Sequence, residues 1–302
     1  MKKCLACFLS LLLLCSGCAA QPQAPEEEKL RVTATIFPPY DFVRQIAGEK
    51  VELAMLVPPG SESHGFEPTL ADLSSIQKSD LLFYAGDDSD AWVESLDPAE
   101  YSDTKMLALG DMVTRSAEQS DSDIHTAEHL WTSVRNAMQM VRGISDALCE
   151  ADPDHAAYYQ GNTEQYLREL QELDADFAAT VAAAPLKTLV FAERFPFASF
   201  AEDYGLQWYA AFDHCSSDFE PKIDVIQDLI ARVRELNIPV VFYIEFSNQS
   251  VADTICAATG CEKALFHSCH NVTEEEFAGG ATYLSLMRNN LEELGKALNY
   301  AA

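Results

Sequence analysis

Six side chains able to bind a metal ion stand at strand ends or at a loop–helix junction of this chain: His64, His129, Glu193, Glu245, His267 and His270. His214, after another strand, joins them as a candidate. Imidazole nitrogen suits zinc, and a carboxylate in place of one imidazole moves the preference toward harder ions such as manganese. Past Cys18 neither HExxH nor CxxC groups these residues locally, so only the fold can bring them together.

The elements that must do so alternate between strand and helix. The apolar run 51–57 reads as a buried strand, and Pro58-Pro59-Gly60 then forces a turn ahead of His64. Runs 30–37, 80–85 and 105–109 supply further strands of a first half. Runs 186–192, 208–212, 239–244 and 264–266 supply those of a second. Leu130, Val134, Met138, Val141, Ile144 and Leu148 recur at helical spacing, with His129 at the start of that helix. Such alternation implies parallel sheets, whose carboxyl-terminal strand ends converge on one face.

A longer stripe, Tyr159, Tyr166, Leu170, Leu173, Phe177 and Val181, predicts one helix over about 154–184. At 1.5 Å per residue it is about 45 Å long, wider than one lobe. The expected fold is therefore α/β with two lobes, 30–153 and 186–302. Each is a mainly parallel sheet flanked by helices, and one long rigid helix over 154–185 joins them.

Composition bounds the function. The net charge is −28, with 48 acidic against 20 basic residues, which excludes nucleic-acid binding. A hydrophobic content of 48% supports real cores. Lys2-Lys3 precede an apolar segment, 4–14, that is too short for a stable transmembrane anchor and right for a signal peptide. Cys15-Ser16-Gly17-Cys18 resembles a bacterial lipoprotein signal, which implies a leader over 1–17 and a lipid on the Cys18 thiol. Residues 18–29 read as a flexible tether. Export permits disulfides, with Cys256–Cys261 and Cys215–Cys269 both open as pairs, while Cys149 reads as a buried free thiol.

Several spaced motifs carry a family resemblance. They are Phe37-Pro38-Pro39-Tyr40, the loop Pro58-Pro59-Gly60…His64…Glu67-Pro68-Thr69, His129-Leu130-Trp131, Asp152-Pro153…Tyr159, and Thr282-Tyr283-Leu284…Met287…Asn290-Leu291. Together they resemble the zinc/manganese solute-binding lipoproteins of ABC transporters over about residues 30–298. The resemblance implies capture of Zn²⁺, with Mn²⁺ as the alternative, and delivery to a membrane permease. It implies a monomer held by its lipid anchor to the outer face of the cytoplasmic membrane.

By position, His64 and His129 match the first two ligands of that family. The third falls on Arg194, which cannot coordinate a cation; either Glu193 beside it or another group takes the role. The fourth falls on His267, with His270 a nearby substitute. Glu245 and His214 remain candidates to complete the shell. Trp131 and Phe66 read as packing that dries the site, and His155 as a solvated first-turn residue. Two other readings stand beside this one: a zinc enzyme with Glu245 as general base, and a lipoprotein of the same fold that serves adhesion or binds another solute.

Overall fold

The computed structural model describes residues 29–86, 89–114, 129–212 and 221–300. The leader, Cys18, the tether up to residue 28, and His214 with Cys215 lie outside the described residues.

Two four-stranded parallel sheets carry the molecule. The first contains β1 (Leu30–Ala34), β2 (Val51–Met55), β3 (Leu81–Tyr84) and β4 (Lys105–Ala108) in the order β2-β1-β3-β4. The second contains β5 (Thr188–Phe191), β6 (Gln207–Ala210), β7 (Val240–Tyr243) and β8 (Glu262–Leu265) in the order β6-β5-β7-β8. The two orders are the same, so the halves repeat a topology that no sequence repeat announces. In both sheets the order reverses beside the first strand, which opens a crevice outside the carboxyl ends of the strands.

Helices cover both faces of each sheet, as parallel strands require. Between the sheets lie α1 (Phe37–Ala47), α3 (Val134–Ala151), α4 (Ala156–Ala183), α5 (Ala198–Tyr204) and α9 (Tyr283–Ala297). On the outer faces, α2 (Leu70–Lys78) packs on the first sheet, and α6 (Ile223–Leu236) and α7 (Ser250–Thr259) on the second. One continuous apolar core runs from Val32 and Phe83 through Ile144, Leu170 and Phe177 to Phe191, Phe242 and Phe266. The inner faces of both sheets are thus sealed by the same side chains.

At 28 residues, α4 is about 42 Å long. Its buried stripe of Tyr159, Thr163, Tyr166, Leu170, Leu173, Phe177, Thr180 and Val181 touches α1 and α3 toward one end and α5 and α9 toward the other. Two helices arise that the apolar spacing does not announce. The first, α5, follows an aromatic cluster and ends at Gly205, whose φ of +66° closes the helix in the left-handed region. The second, α8 (Glu274–Ala278), is a single turn held by a capping box between Thr273 and Glu276.

Candidate metal centre

Three loops from distant parts of the chain meet over the carboxyl ends of the strands. The first follows β2. Pro58-Pro59-Gly60 breaks the strand, Gly60 adopts a φ of +83°, and the chain delivers His64. The second ends the segment after β4. His129 stands there in the left-handed conformation, φ +55°, immediately before a 3₁₀ turn over Leu130–Thr132 and the Ser133 cap of α3. The third follows β8 and carries His267 to Asn271, with Cys269 at φ +61° reversing the backbone between the two histidines.

The loops are tied to one another by hydrogen bonds. The Asn271 side-chain amide donates to the carbonyls of Pro58 and Ser61, both at 2.8 Å, and the Gly60 amide donates to Val272 O at 2.7 Å. The Trp131 indole N–H donates to Ser268 O at 2.9 Å, and the Tyr283 hydroxyl donates to Trp131 O at 2.7 Å. The α9 amide of Tyr283 in turn donates to the buried carboxylate of Asp41 on α1 at 2.7 Å. Each site loop is therefore fixed to at least one element from another part of the chain.

The outcome is a cluster of His64, His129 and His270, one ring nitrogen of each lying within 4.8 Å of the others. His129 Nε2 is 3.3 Å from His270 Nδ1. The Nε2 atoms of His64 and His270 are buried and have no hydrogen-bond partner. Burial and the neighbouring His129, His64 and Arg194 push the His270 pKa well below the ordinary imidazole value, which favours the neutral ring with a lone pair on one nitrogen. Trp131 lies against the rings of both His129 and His270 and shields them from water.

Carboxylates surround the histidines. His64 Nδ1 is 2.9 Å from Glu62 Oε1, which favours the tautomer with its lone pair on Nε2. Glu62 Oε2 accepts from Arg194 Nη2 at 3.2 Å. The His64 hydrogen bond leads, with the Arg194 guanidinium adding to it, in holding the Glu62 carboxyl down at about 2 against its burial. The cavity enclosed is small, about 20 Å³, and is lined by the three histidines with Glu62, Arg194 and Glu245 among others. It has room for a single atom-sized guest.

Of the remaining sequence candidates among the described residues, Glu245 lines the cavity, while His267 and Glu193 do not. His267 is buried, its Nδ1 accepts from the Cys269 amide at 2.9 Å, and its Nε2 is 3.7 Å from Glu276 Oε1 on the far side of the loop. Burial lowers its pKa, but Glu245 and Glu276 outweigh that and leave it raised. Glu193 accepts from the Ser247 hydroxyl, and it is Arg194 that lines the cavity. Glu245 accepts from both the amide and the hydroxyl of Ser268. Phe66 packs on Trp92 rather than on the histidines.

A family model, zinc-uptake complex component A, periplasmic (ZnuA), matches residues 32–297. The chain belongs to the ZnuA family. The high-affinity zinc uptake system protein ZnuA of Bacillus subtilis is 28% identical over 306 residues, which cover 97% of this chain and 95% of that one. The zinc-binding lipoprotein AdcA of Streptococcus pneumoniae is 30% identical, but the match covers 60% of AdcA, so this chain spans about three-fifths of that relative. Among solved structures, the Zn(II)-bound ZnuA-like domain of Streptococcus pneumoniae AdcA superposes with a TM-score of 0.77 at 26% identity, covering 90% of this chain and 100% of that one.

Within this ZnuA-family chain, three groups at the site carry no individual signal in the sequence. Glu62, Ser268 and Asn271 look like ordinary loop residues until the loops close on one another. The one hint is adjacency, since each lies within two positions of a clustered histidine. The donor set of three imidazoles, those of His129 and His270 buried and that of His64 partly so, with open nitrogens on His64 and His270, fits a borderline divalent cation such as zinc.

Proposed function

We propose that this chain is the extracytoplasmic solute-binding component of a metal ABC transporter. It holds Zn²⁺ on His64, His129 and His270 and hands the ion to a membrane permease. The observation that carries this reading is the convergence of three histidines from three separate loops, with the buried Nε2 atoms of His64 and His270 unpartnered, on a cavity of single-ion size. Membership of the zinc-uptake family supports the choice of cargo.

The rest of the reading follows the same line. The lobes divide at 30–153 and 186–302 with a linking helix over 154–185, and the mature chain is a monomer anchored through a lipid on Cys18. It acts by binding and not by catalysis. The candidate general base, Glu245, has both oxygens engaged by Ser268. No helix among the described residues is long and apolar enough to cross a membrane, and the lipid supplies the attachment.

Metal content of the purified protein by mass spectrometry, followed by competitive titration with Zn²⁺ and Mn²⁺, tests the proposal. One zinc per chain held against excess manganese is the expected result. Retention of manganese instead would mean that carboxylates rather than the three imidazoles dominate the shell. Absence of both metals would overturn the proposal.

A further inference from the structure

An ion held in so small a cavity must have a way in and out. Toward the interior the cavity is closed by Ile244, Glu245 and the buried loop from Ser268 to Asn271. Among the residues that line it only Glu62 and Phe246 are exposed, with His64 and Arg194 partly so. Glu62 is pinned in place by His64 on one oxygen and Arg194 on the other. The opening therefore lies between that bonded carboxylate and the ring of Phe246.

Phe246 is an unusual residue for its position. It stands three residues past the end of β7 at a φ of +62°, in the left-handed region that glycine occupies freely and a bulky side chain enters at a cost. Packing does not offset that cost, since the ring is 40% exposed and joins none of the apolar clusters formed by the described residues. The backbone beside it is anchored: the Ser247 hydroxyl donates to Glu193 and accepts from the Gln249 amide at 2.9 Å. An exposed ring on an anchored backbone changes rotamer quickly without moving the loop that carries it. Strain kept at the rim of a binding cavity, with no packing to account for it, points to a role in what passes that rim.

We propose that Phe246 is the door of the metal cavity, setting how fast an ion enters and leaves rather than how tightly it is held. The inference rests on the metal-binding reading above and adds to it the control of exchange. The ring supplies no ligand atom, so it acts on the barrier between the full and the empty site and favours neither. Entry and release are then slowed by the same factor, and Kd, their ratio, is left where the histidines put it.

The test is stopped-flow transfer of zinc between the purified full chain and a chromophoric chelator, run in both directions. The variants are Phe246→Ala, Phe246→Leu and Phe246→Gly, the last of which accepts the left-handed backbone without a side chain. Both rate constants are expected to rise about tenfold or more in Phe246→Ala and Phe246→Gly, while Kd stays within about threefold of the parent. Phe246→Leu, which returns apolar bulk, should lie between. Unchanged rates in Phe246→Ala and Phe246→Gly overturn this inference and leave the metal site standing. Faster release with no faster entry overturns it as well, because the ring would then stabilise the bound ion instead of guarding its path. Failure of His64→Ala to weaken zinc overturns the metal reading itself.

Discussion

His129 Nε2 and His270 Nδ1 lie 3.3 Å apart although 141 residues separate them in the chain. Two imidazoles brought so close in a buried place either share a proton or share a cation. The depressed pKa of His270 weighs against a second proton in the pair. Removing either ring should therefore cost metal affinity. His64→Ala, His129→Ala and His270→Ala are each expected to weaken Zn²⁺ binding by at least about tenfold. His267→Ala should weaken it less, because that ring faces Glu276. Competition against a chromophoric chelator reads all four, and a larger loss for His267→Ala than for His270→Ala would reverse the assignment.

Metal should also stabilise the fold, since the three loops that carry the clustered histidines come from both halves of the chain. At a free concentration of about 100 times Kd the gain is about 2.7 kcal/mol. For a chain of this size that is a rise in Tm of several degrees. Differential scanning fluorimetry with and without Zn²⁺ measures it, and His64→Ala should abolish the rise.

Asn271 is a more stringent probe of how the site is held. Its amide donates to two carbonyls of the His64 loop, Pro58 O and Ser61 O, from the residue after His270. Asn271→Ala leaves both acceptors without that donor and should cost about 1–3 kcal/mol of stability. Zinc affinity should fall as well, because His64 and His270 lose their common register. Urea unfolding of the metal-free protein and zinc titration at a temperature where the variant remains folded separate the two effects.

Much of the fold was legible in advance, and the reasons are local. The turn at Pro58-Pro59-Gly60, the spacing of Leu130 to Leu148 and the long stripe from Tyr159 to Val181 are signals that the backbone obeys within a few residues. The helix expected to begin at His129 begins at Val134, because the chain first makes a 3₁₀ turn that Ser133 then caps. The choice between His267 and His270 was not legible. It depends on the left-handed backbone at Cys269, which turns successive side chains to opposite walls of the loop, and nothing in the type of a cysteine announces that conformation. The engagement of Glu193 by Ser247 is likewise a contact across 54 residues that no spacing rule reaches.

The pH dependence of stability should carry the mark of His267 and Glu276. Beside His267 the Glu276 carboxyl is held down at about 2, below the ordinary value of 4.5. A carboxylate depressed in the native state stabilises above its unfolded value, and the gain is lost as pH falls from about 4.5 through about 2. His267 is shifted the other way, so its contribution is complete below 6.5 and is lost as pH rises through its higher native value. The pair is therefore worth most between these limits. Glu276→Gln should flatten the acid limb of a plot of urea midpoint against pH for the metal-free protein; an acid limb as steep as in the parent would show that other carboxylates set it.

Of the two cysteine pairings that the sequence left open, one can be examined among the described residues. Cys256 and Cys261 flank the end of α7 with their sulfurs 3.2 Å apart, while Cys269 is fully buried. A two-electron oxidant such as diamide should join the first two sulfurs, each thiol giving up one hydrogen and the diazene becoming a hydrazine. Burial and the adjacent thiol push Cys256 up to about 12, so the link should form faster at alkaline pH. Peptide mapping after alkylation should find this link and leave Cys149 and Cys269 reduced; alkylation of both Cys256 and Cys261 after treatment would count against it.

The helix α4 and the single core around it have a consequence for the way an empty molecule differs from a full one. A chain whose halves swing on slender connections advertises its cargo by closing like a jaw. Here 28 helical residues and a shared interior brace both halves, so the outline should stay nearly constant whether or not an ion is present. The news of occupancy is then confined to the three short loops around His64, His129 and His270. Any receiver that accepts loaded molecules and ignores empty ones must read that small patch of surface rather than the silhouette of the whole.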